Sequence, residues 1–252
     1  LIYTQRNSQA DLSFQNQLFH MATGSGKTLI LAASILYLYK EHGYQNFLFF
    51  ADSDAIVKKT RNNLTNSTSP KYLFKPEGIV LDGEKIQIQT VDTFPHQPAD
   101  NTVYLKVTSI QSLHNNLTEP KENEITFETL KEMNIVMLAD EAHHYFAETR
   151  RNQKPTQEEA KIRSWERTIE NLLSLNPKNR LLGFSATLNL ENEFLFEKLQ
   201  NRIVYQYDLK KFMESGYSKN VVLLQTNEED QQKMLHSVLL SQYRKYIAKD
   251  KG

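Results

Sequence analysis

The feature of this sequence that most constrains its fold is a unit that recurs along the chain. A short apolar run is followed by a few polar or small residues and then by a helical pattern, as in residues 17–42, 47–64 and 103–113. Strands buried on both faces read as continuous apolar runs, and their alternation with helices is typical of a parallel sheet. The pattern therefore predicts a three-layer α/β/α fold with a mostly parallel central sheet.

The same pattern indicates where to look for a functional site. The apolar runs 17–21, 47–50, 103–107, 135–139 and 181–184 each end in polar or small residues. In parallel α/β sheets, ligands bind at the carboxyl ends of the strands. We therefore expect the functional residues in the short segments that follow these runs.

Residues 23–28, Thr-Gly-Ser-Gly-Lys-Thr, lie between a predicted strand and a predicted helix. The glycines let backbone N–H groups turn toward a phosphate, the lysine adds a positive charge, and the last threonine can ligate magnesium. A glycine-rich turn without function is the alternative, which the position between strand and helix disfavours. The predicted nucleotide contacts are Ala22, Thr23, Gly24, Ser25, Gly26, Lys27 and Thr28, with Thr28 also at the metal.

A second polar segment, residues 140–144, reads Asp-Glu-Ala-His-His and follows another apolar run. Asp140 can hold magnesium, partly through water, while Glu141 can orient and deprotonate an attacking water. The alternative is a solvated acidic strand end. A zinc site at His143 and His144 is disfavoured, because adjacent histidines cannot share one helix face and no His-Glu-x-x-His spacing is present.

Two segments rich in hydroxyl groups also follow apolar runs. Ser185 and Thr187 flank an alanine, and an ordinary strand-end turn is an equally good interpretation of that tripeptide alone. Thr108 and Gln111 lie in residues 108–113, where hydroxyls, an amide and a helix N-terminus suit the phosphates of a nucleic-acid backbone. A helix cap by Thr108 or Ser109 explains that segment equally well.

The composition narrows the functional classes. The 30 basic and 30 acidic residues balance, so any nucleic-acid site must be local or shared with another part. The absence of cysteine excludes disulfides and thiolate zinc sites and fits a cytoplasmic location. No apolar run approaches a membrane span, and we expect no membrane contact. Because the first residue is Leu1, we expect the chain to be part of a longer protein.

The remaining segments give the organisation of the chain. Residues 66–101 are interpreted as an insertion with a hairpin at Asp82-Gly83, and Thr156 with Glu159 predicts a capping box at a helix start. We assign residues 1–205 to one nucleotide-binding lobe and 206–252 to a connector toward a second lobe. The connector is predicted to contain a short helix at 209–215 ended by Gly216, a strand at 221–224 and an amphipathic helix at 230–249.

The three motifs, in this order and each after a strand, resemble the first RecA-like lobe of superfamily 2 helicases of the DEAH-box-like group. Met21 departs from the full phosphate-loop pattern, which has glycine there. Finer detail is similar to the motor subunit of Type III restriction enzymes, in residues 20–28, 46–50, 108–113 and 182–188 and in the second histidine of residues 140–144. The resemblance implies a P-loop NTPase fold, ATP and Mg²⁺ as ligands, and ATP-driven movement on DNA.

The resemblance also implies a role for each matching residue. Lys27 and Thr28 match the phosphate and magnesium contacts, Asp140 the magnesium-binding acid and Glu141 the general base. The residues that match positions coupling hydrolysis to lobe movement are His143, Ser185 and Thr187; those that match DNA-backbone contacts are Thr108, Gln111 and, less closely, Ser53.

Some parts of the family pattern are not found in this chain. Gln5, Gln15 and Gln17 precede the loop, but none lies in a clear adenine-recognising motif. The resemblance implies a second RecA-like lobe, a nuclease domain and a DNA-methyltransferase or specificity subunit as partners. Since the second lobe supplies an arginine finger worth ~10³ or more in rate, we expect this chain alone to hydrolyse ATP slowly.

Three alternatives to a restriction motor remain open. The chain can belong to a repair or phage-defence helicase without a nuclease, or to a nucleotide-regulated DNA-binding scaffold with little turnover. A small-molecule kinase would use the same phosphate loop, but such kinases rarely place Glu beside the metal-binding Asp.

Overall fold

The computed structural model describes residues 15–75, 77–120, 124–146, 156–188, 190–217, 227 and 229–250. The chain forms two compact units, Leu1–Tyr217 and Ser218–Gly252. The predicted strand at 221–224 lies outside the described residues. No helix among the described residues is long and apolar enough to cross a membrane.

The first unit is built on an eight-stranded sheet in the order β3-β4-β5-β2-β6-β7-β1-β8. All neighbouring strands are parallel except β3 and β4. The strands are β1 (Asn16–Met21), β2 (Asn46–Ala51), β3 (Ile79–Leu81), β4 (Glu84–Thr90), β5 (Thr102–Ser109), β6 (Ile135–Asp140), β7 (Arg180–Ser185) and β8 (Ile203–Tyr207).

Helices cover both faces of this sheet. Alternate residues of β2 separate the two cores, since Phe47 and Phe49 belong to one and Leu48 and Phe50 to the other. The predicted three-layer α/β/α fold is therefore confirmed. The helices of this unit are α1 (Lys27–His42), α2 (Asp54–Thr65), α3 (Ile110–Thr118), α4 (Phe127–Leu130), α5 (Gln157–Ser174), α6 (Glu193–Leu199) and α7 (Leu209–Glu214).

Local sequence explains where several elements begin and turn. The capping box is present, because Thr156 accepts from the Glu159 N–H and Glu159 accepts from the Thr156 N–H at 3.2 and 2.7 Å. The hairpin is also present, with Asp82 and Gly83 both at positive φ, 52° and 87°. Its second strand, β4, pairs in parallel with β5, so residues 66–101 extend the main sheet rather than standing apart from it.

The last elements of the chain differ in their surroundings. The strand β8, which the sequence analysis did not predict, pairs with β1 at the edge of the sheet. The helix α7 ends before Gly216, whose φ of 74° is left-handed. In the second unit, α8 (Asp230–Asp250) carries large apolar side chains that are exposed, among them Leu235 and Tyr243.

Candidate functional site

The loop between β1 and α1 has the shape that the sequence predicts for a phosphate-binding turn. Gly24 and Gly26 have φ values of 83° and 97°, a backbone region that strains other residues. Ser25 fastens the turn, because its N–H and its hydroxyl both donate to the Ala22 carbonyl, at 3.2 and 2.7 Å. The Ala22 N–H donates to the Tyr207 carbonyl at 2.8 Å, so both Ala22 backbone groups support the loop.

The start of α1 leaves this turn open to an anion. Gly26 occupies the N-cap position and has no side chain that could cap the helix. Thr28 follows in the first turn and is partly exposed. The Lys27 ammonium donates to the Met21 carbonyl at 3.3 Å, a long hydrogen bond that a phosphate oxygen could replace. Charge and open N–H groups therefore converge where a phosphate would bind.

The acidic segment follows β6 as a tight turn. Glu141 has a φ of 48°, a strained value for a residue with a side chain, and its N–H donates to Asp140 Oδ1 at 3.0 Å. The next residues, Ala142–Tyr145, form a 3₁₀ turn. The hydroxyl of the fully buried Tyr145 donates to the Asp140 carbonyl at 3.1 Å. Two hydrogen bonds to Asp140, one to its side chain and one to its carbonyl, thus hold the strained turn.

Asp140 has the electrostatic surroundings of a cation ligand. Burial, and then the neighbouring charge of Glu141, raise the pKa of the Asp140 carboxyl. Among the described residues, no group of three or more histidine or carboxylate side chains is placed to hold a metal by itself. The residues present fit magnesium, which commonly takes one or two protein oxygens and completes its shell with phosphate and water.

His143 joins the acidic segment to the end of β7. Its Nδ1 lies 2.9 Å from Ser185 Oγ and 3.5 Å from Glu141 Oε2. The Thr187 hydroxyl lies 3.4 Å from each ring nitrogen, and the Thr187 N–H donates to Ser185 Oγ at 3.2 Å. Burial, and then the adjacent His144, lower the pKa of His143, which favours the neutral ring. The second and third motifs therefore form one hydrogen-bonded group.

A glycine allows this close packing. A Cβ on Gly183 of β7 would lie 2.5 Å from Leu18 Cδ2 and 3.0 Å from Ala142 Cβ. The absence of a side chain at Gly183 therefore lets the turn after Glu141 rest directly on the sheet.

His20 is a site residue for which the sequence alone indicates no role, although it begins the run of residues 20–28. It pairs in register with Ser185 of β7, and its Nε2–H donates to the Ala186 carbonyl at 3.2 Å. Its Nδ1 is buried and has no hydrogen-bond partner among the described residues. Burial lowers the pKa of His20, so the neutral ring links the strand before the phosphate loop to the third motif.

The predicted DNA contacts lie at the ends of the neighbouring strands β2 and β5, and β6 and β7 separate them from β1, the strand that leads into the phosphate loop. Ser53 and Ser109 cap α2 and α3 by accepting from backbone N–H groups at 3.4 and 3.3 Å. The cap of α3 is therefore Ser109 and not Thr108, whose hydroxyl donates to the Ser109 carbonyl at 3.3 Å. The Gln111 amide donates to Asn115 Oδ1 at 2.8 Å on the surface.

Comparisons with solved structures give helicases of low similarity. The helicase domain of Hef from Pyrococcus furiosus is 18% identical with a TM-score of 0.47, over 88% of this chain and 41% of that one. The UvsW helicase of bacteriophage T4 is 14% identical with a TM-score of 0.43, over 82% and 58%. The assignment to a family therefore rests on sequence.

Two sequence matches make that assignment. The family model "Type III restriction enzyme, res subunit" matches residues 4–190. The probable type III restriction-modification enzyme HindVIP Res subunit of Haemophilus influenzae is 39% identical over 248 residues, which cover 92% of this chain and 47% of that protein. The chain thus spans about half the length of this relative, and the resemblance found in the motifs is confirmed. The chain belongs to the Res subunit family of Type III restriction enzymes.

Proposed function

We propose that this chain is the ATP-binding lobe of a DNA-dependent ATPase, the helicase-like motor of a restriction endonuclease, which couples ATP hydrolysis to movement on DNA. The observation that carries this proposal is the set of contacts of His143, which connects Glu141 with Ser185 and Thr187. A simple nucleotide-binding protein does not need its candidate base tied to a neighbouring strand end, whereas a motor must transmit the state of the nucleotide.

ATP would bind with its phosphates in the loop formed by residues 22–28. Lys27 would exchange its bond to the Met21 carbonyl for a phosphate oxygen, and the first turn of α1 would face the same charge. Thr28 and Asp140 would hold magnesium, partly through water. When bound, this ion would neutralise phosphate charge during transfer.

Glu141 is the proposed general base of the reaction. Its carboxylate would orient the attacking water and accept its proton, so both its position and its ability to accept a proton matter. The left-handed backbone at Glu141 and the bond from Tyr145 to the Asp140 carbonyl hold the turn from which that carboxylate extends. His143 would position Glu141 and would respond to movements of Ser185 and Thr187.

The DNA backbone would lie along the ends of β2 and β5, contacted by Ser53, Thr108 and Gln111. We propose that the complete protein works in the cytoplasm with a second RecA-like lobe, a nuclease domain and a DNA-methyltransferase or specificity subunit. The similarity to the Haemophilus influenzae Res subunit supports these partners.

Nucleotide binding tests the first part of the proposal. We expect Lys27→Ala to weaken MgATP binding at least tenfold, measured by calorimetry, because a charge-assisted contact to phosphate is lost. Lys40→Ala is the matched control, since Lys40 lies at the other end of the same helix and pairs with Asp82. Equal affinity of wild type and Lys27→Ala would refute the phosphate-loop assignment.

ATP hydrolysis measured with and without duplex DNA tests the proposed DNA-dependent ATPase activity and the role of Glu141. We expect DNA to stimulate ATP turnover by the full-length protein, and Glu141→Gln to abolish turnover while MgATP still binds. Glu214→Gln, on the exposed end of α7, serves as the control. If neither duplex nor single-stranded DNA stimulates ATP turnover, the nucleotide-regulated scaffold is favoured instead.

A further inference from the structure

The edge of the sheet beside the phosphate loop carries two aromatic side chains that the proposed mechanism does not use. Tyr207 ends β8, and Phe212 lies on α7, the next element. Their rings are in edge-type contact, with centroids 5.9 Å apart and an interplanar angle of 70°. Both rings are only partly buried, so part of their surface is accessible to a ligand.

These rings are fixed relative to the loop. Met21 pairs with Tyr207, and the Ala22 N–H donates to the Tyr207 carbonyl at 2.8 Å. Asp208 caps α7 through the Lys211 N–H at 2.9 Å, which sets the position of the helix. A Cβ added to Gly24 would lie 3.9 Å from Phe212 Cε1, so the ring borders the phosphate loop.

The strand order decides on which side of the loop the nucleoside must lie. The catalytic acids follow β6, and the sequence of neighbours is β6-β7-β1-β8. The terminal phosphate would have to face Glu141, the proposed base, on the β6 side of the loop. The ribose and base must then extend to the opposite side of β1. Three strand spacings of about 4.8 Å separate β6 from β8, a span suited to an extended nucleotide.

We infer that Phe212, in contact with the ring of Tyr207, forms the binding surface for the base of the nucleotide. Every nucleobase has a π-face that can stack on an aromatic ring. An aromatic ring next to a phosphate loop can therefore bind the base of the nucleotide. This inference rests on the proposed function, because it takes the phosphates to lie in the loop.

The test compares ligands that share phosphates but differ in the base. Affinities for MgATP, MgGTP and magnesium tripolyphosphate are measured by calorimetry on the full chain, as wild type and as Phe212→Leu, Phe212→Tyr and Lys27→Ala. Leucine keeps an apolar side chain at the half-buried position, and tyrosine keeps the ring. Phe196→Leu is the matched control, because Phe196 is an exposed phenylalanine on α6, 43% accessible.

We expect Phe212→Leu to weaken both nucleotides about tenfold, the loss of one base–aromatic stack, while tripolyphosphate binding stays within about twofold. Phe212→Tyr and Phe196→Leu should bind all three ligands as the wild type does. Unchanged nucleotide affinity in Phe212→Leu, or an equal loss for nucleotides and tripolyphosphate, would overturn the base site alone. If Lys27→Ala leaves all three affinities unchanged, the proposed function fails and the base site with it.

Discussion

The Nδ1 atom of His143 lies 2.9 Å from the hydroxyl oxygen of Ser185, although 42 residues separate the two along the chain. This contact spans the ends of two neighbouring strands, β6 and β7. It places a neutral ring between the candidate base Glu141 and the segment that leads away from the sheet.

Removal of the Ser185 hydroxyl should slow ATP hydrolysis without weakening nucleotide binding. We expect Ser185→Ala to reduce DNA-stimulated ATP turnover by the full-length protein about tenfold, with MgATP affinity within about twofold, because the lost contact positions Glu141 and does not touch phosphate. A double-mutant cycle with His143→Ala should show that the two losses are not additive. Additive losses would contradict the contact.

His20 should matter through its Nε2–H, which bonds to the Ala186 carbonyl. We expect His20→Gln to keep most DNA-stimulated turnover, because glutamine can place an N–H at a similar reach, and His20→Leu to lose it. Steady-state kinetics separates a loss of turnover, which lowers kcat, from a binding defect, which raises KM. Equal behaviour of the two variants would show that the hydrogen bond has no role.

Asp140→Asn should stabilise the nucleotide-free protein at neutral pH while abolishing magnesium-dependent nucleotide binding. The pKa of the Asp140 carboxyl is higher in the folded protein than in the unfolded chain, so ionisation of this group destabilises the fold. Stability is therefore fully present below the pKa of the unfolded chain and is lost as the pH rises through the pKa of the folded protein. Asparagine removes the buried charge and keeps the acceptor for the Glu141 N–H. Urea unfolding should show a gain in the free energy of unfolding at pH 7.5 that shrinks toward pH 4. A gain in stability that does not depend on pH would contradict the raised pKa of Asp140.

Gly183→Ala should destabilise the fold, because the new methyl group meets Leu18 and Ala142. We expect a loss of roughly 1–3 kcal/mol in the free energy of unfolding, the usual result of overpacking a core. Leu18→Ala in the same chain should relieve part of the clash, so the double variant should lose less than the sum of the single variants. Full additivity would argue against this packing.

Alanine variants of Gln111 and Ser109 should distinguish a DNA contact, proposed for Gln111, from helix capping by Ser109. Gln111→Ala should leave unfolding within about 0.5 kcal/mol, since its bond is on the surface, but should reduce the stimulation of turnover by DNA. Ser109→Ala should cost about 1 kcal/mol, because it removes the cap of α3. If Gln111→Ala leaves DNA stimulation unchanged, Gln111 is not a DNA contact.

The buried strands and the phosphate loop could be predicted because their signals are local. Strands β2 and β6 are continuous apolar runs, and the capping box at Thr156 lies within four consecutive residues. The edge strand β8 could not be predicted in the same way, since it is short and most of its residues are only partly buried.

The contacts of His20 and His143 could not be predicted either, because they depend on register between strands. A side chain on β1 meets Ala186 only because His20 pairs with Ser185. The sequence order of the motifs indicates that they share an edge of the sheet, but not which atoms meet there. Sequence likewise left Thr108 and Ser109 as equal candidates for the cap of α3, and only backbone geometry selects Ser109.

The bond between Lys27 and the Met21 carbonyl bears on how the reaction cycle closes. When products leave, the Lys27 ammonium has a backbone oxygen within reach and need not stay bare or wait for a counter-ion. In the proposed reaction the same oxygen would compete with phosphate for the Lys27 ammonium, so it would favour the departure of products at some expense in nucleotide affinity. The proposed motor would thereby carry its own competitor for the phosphate site.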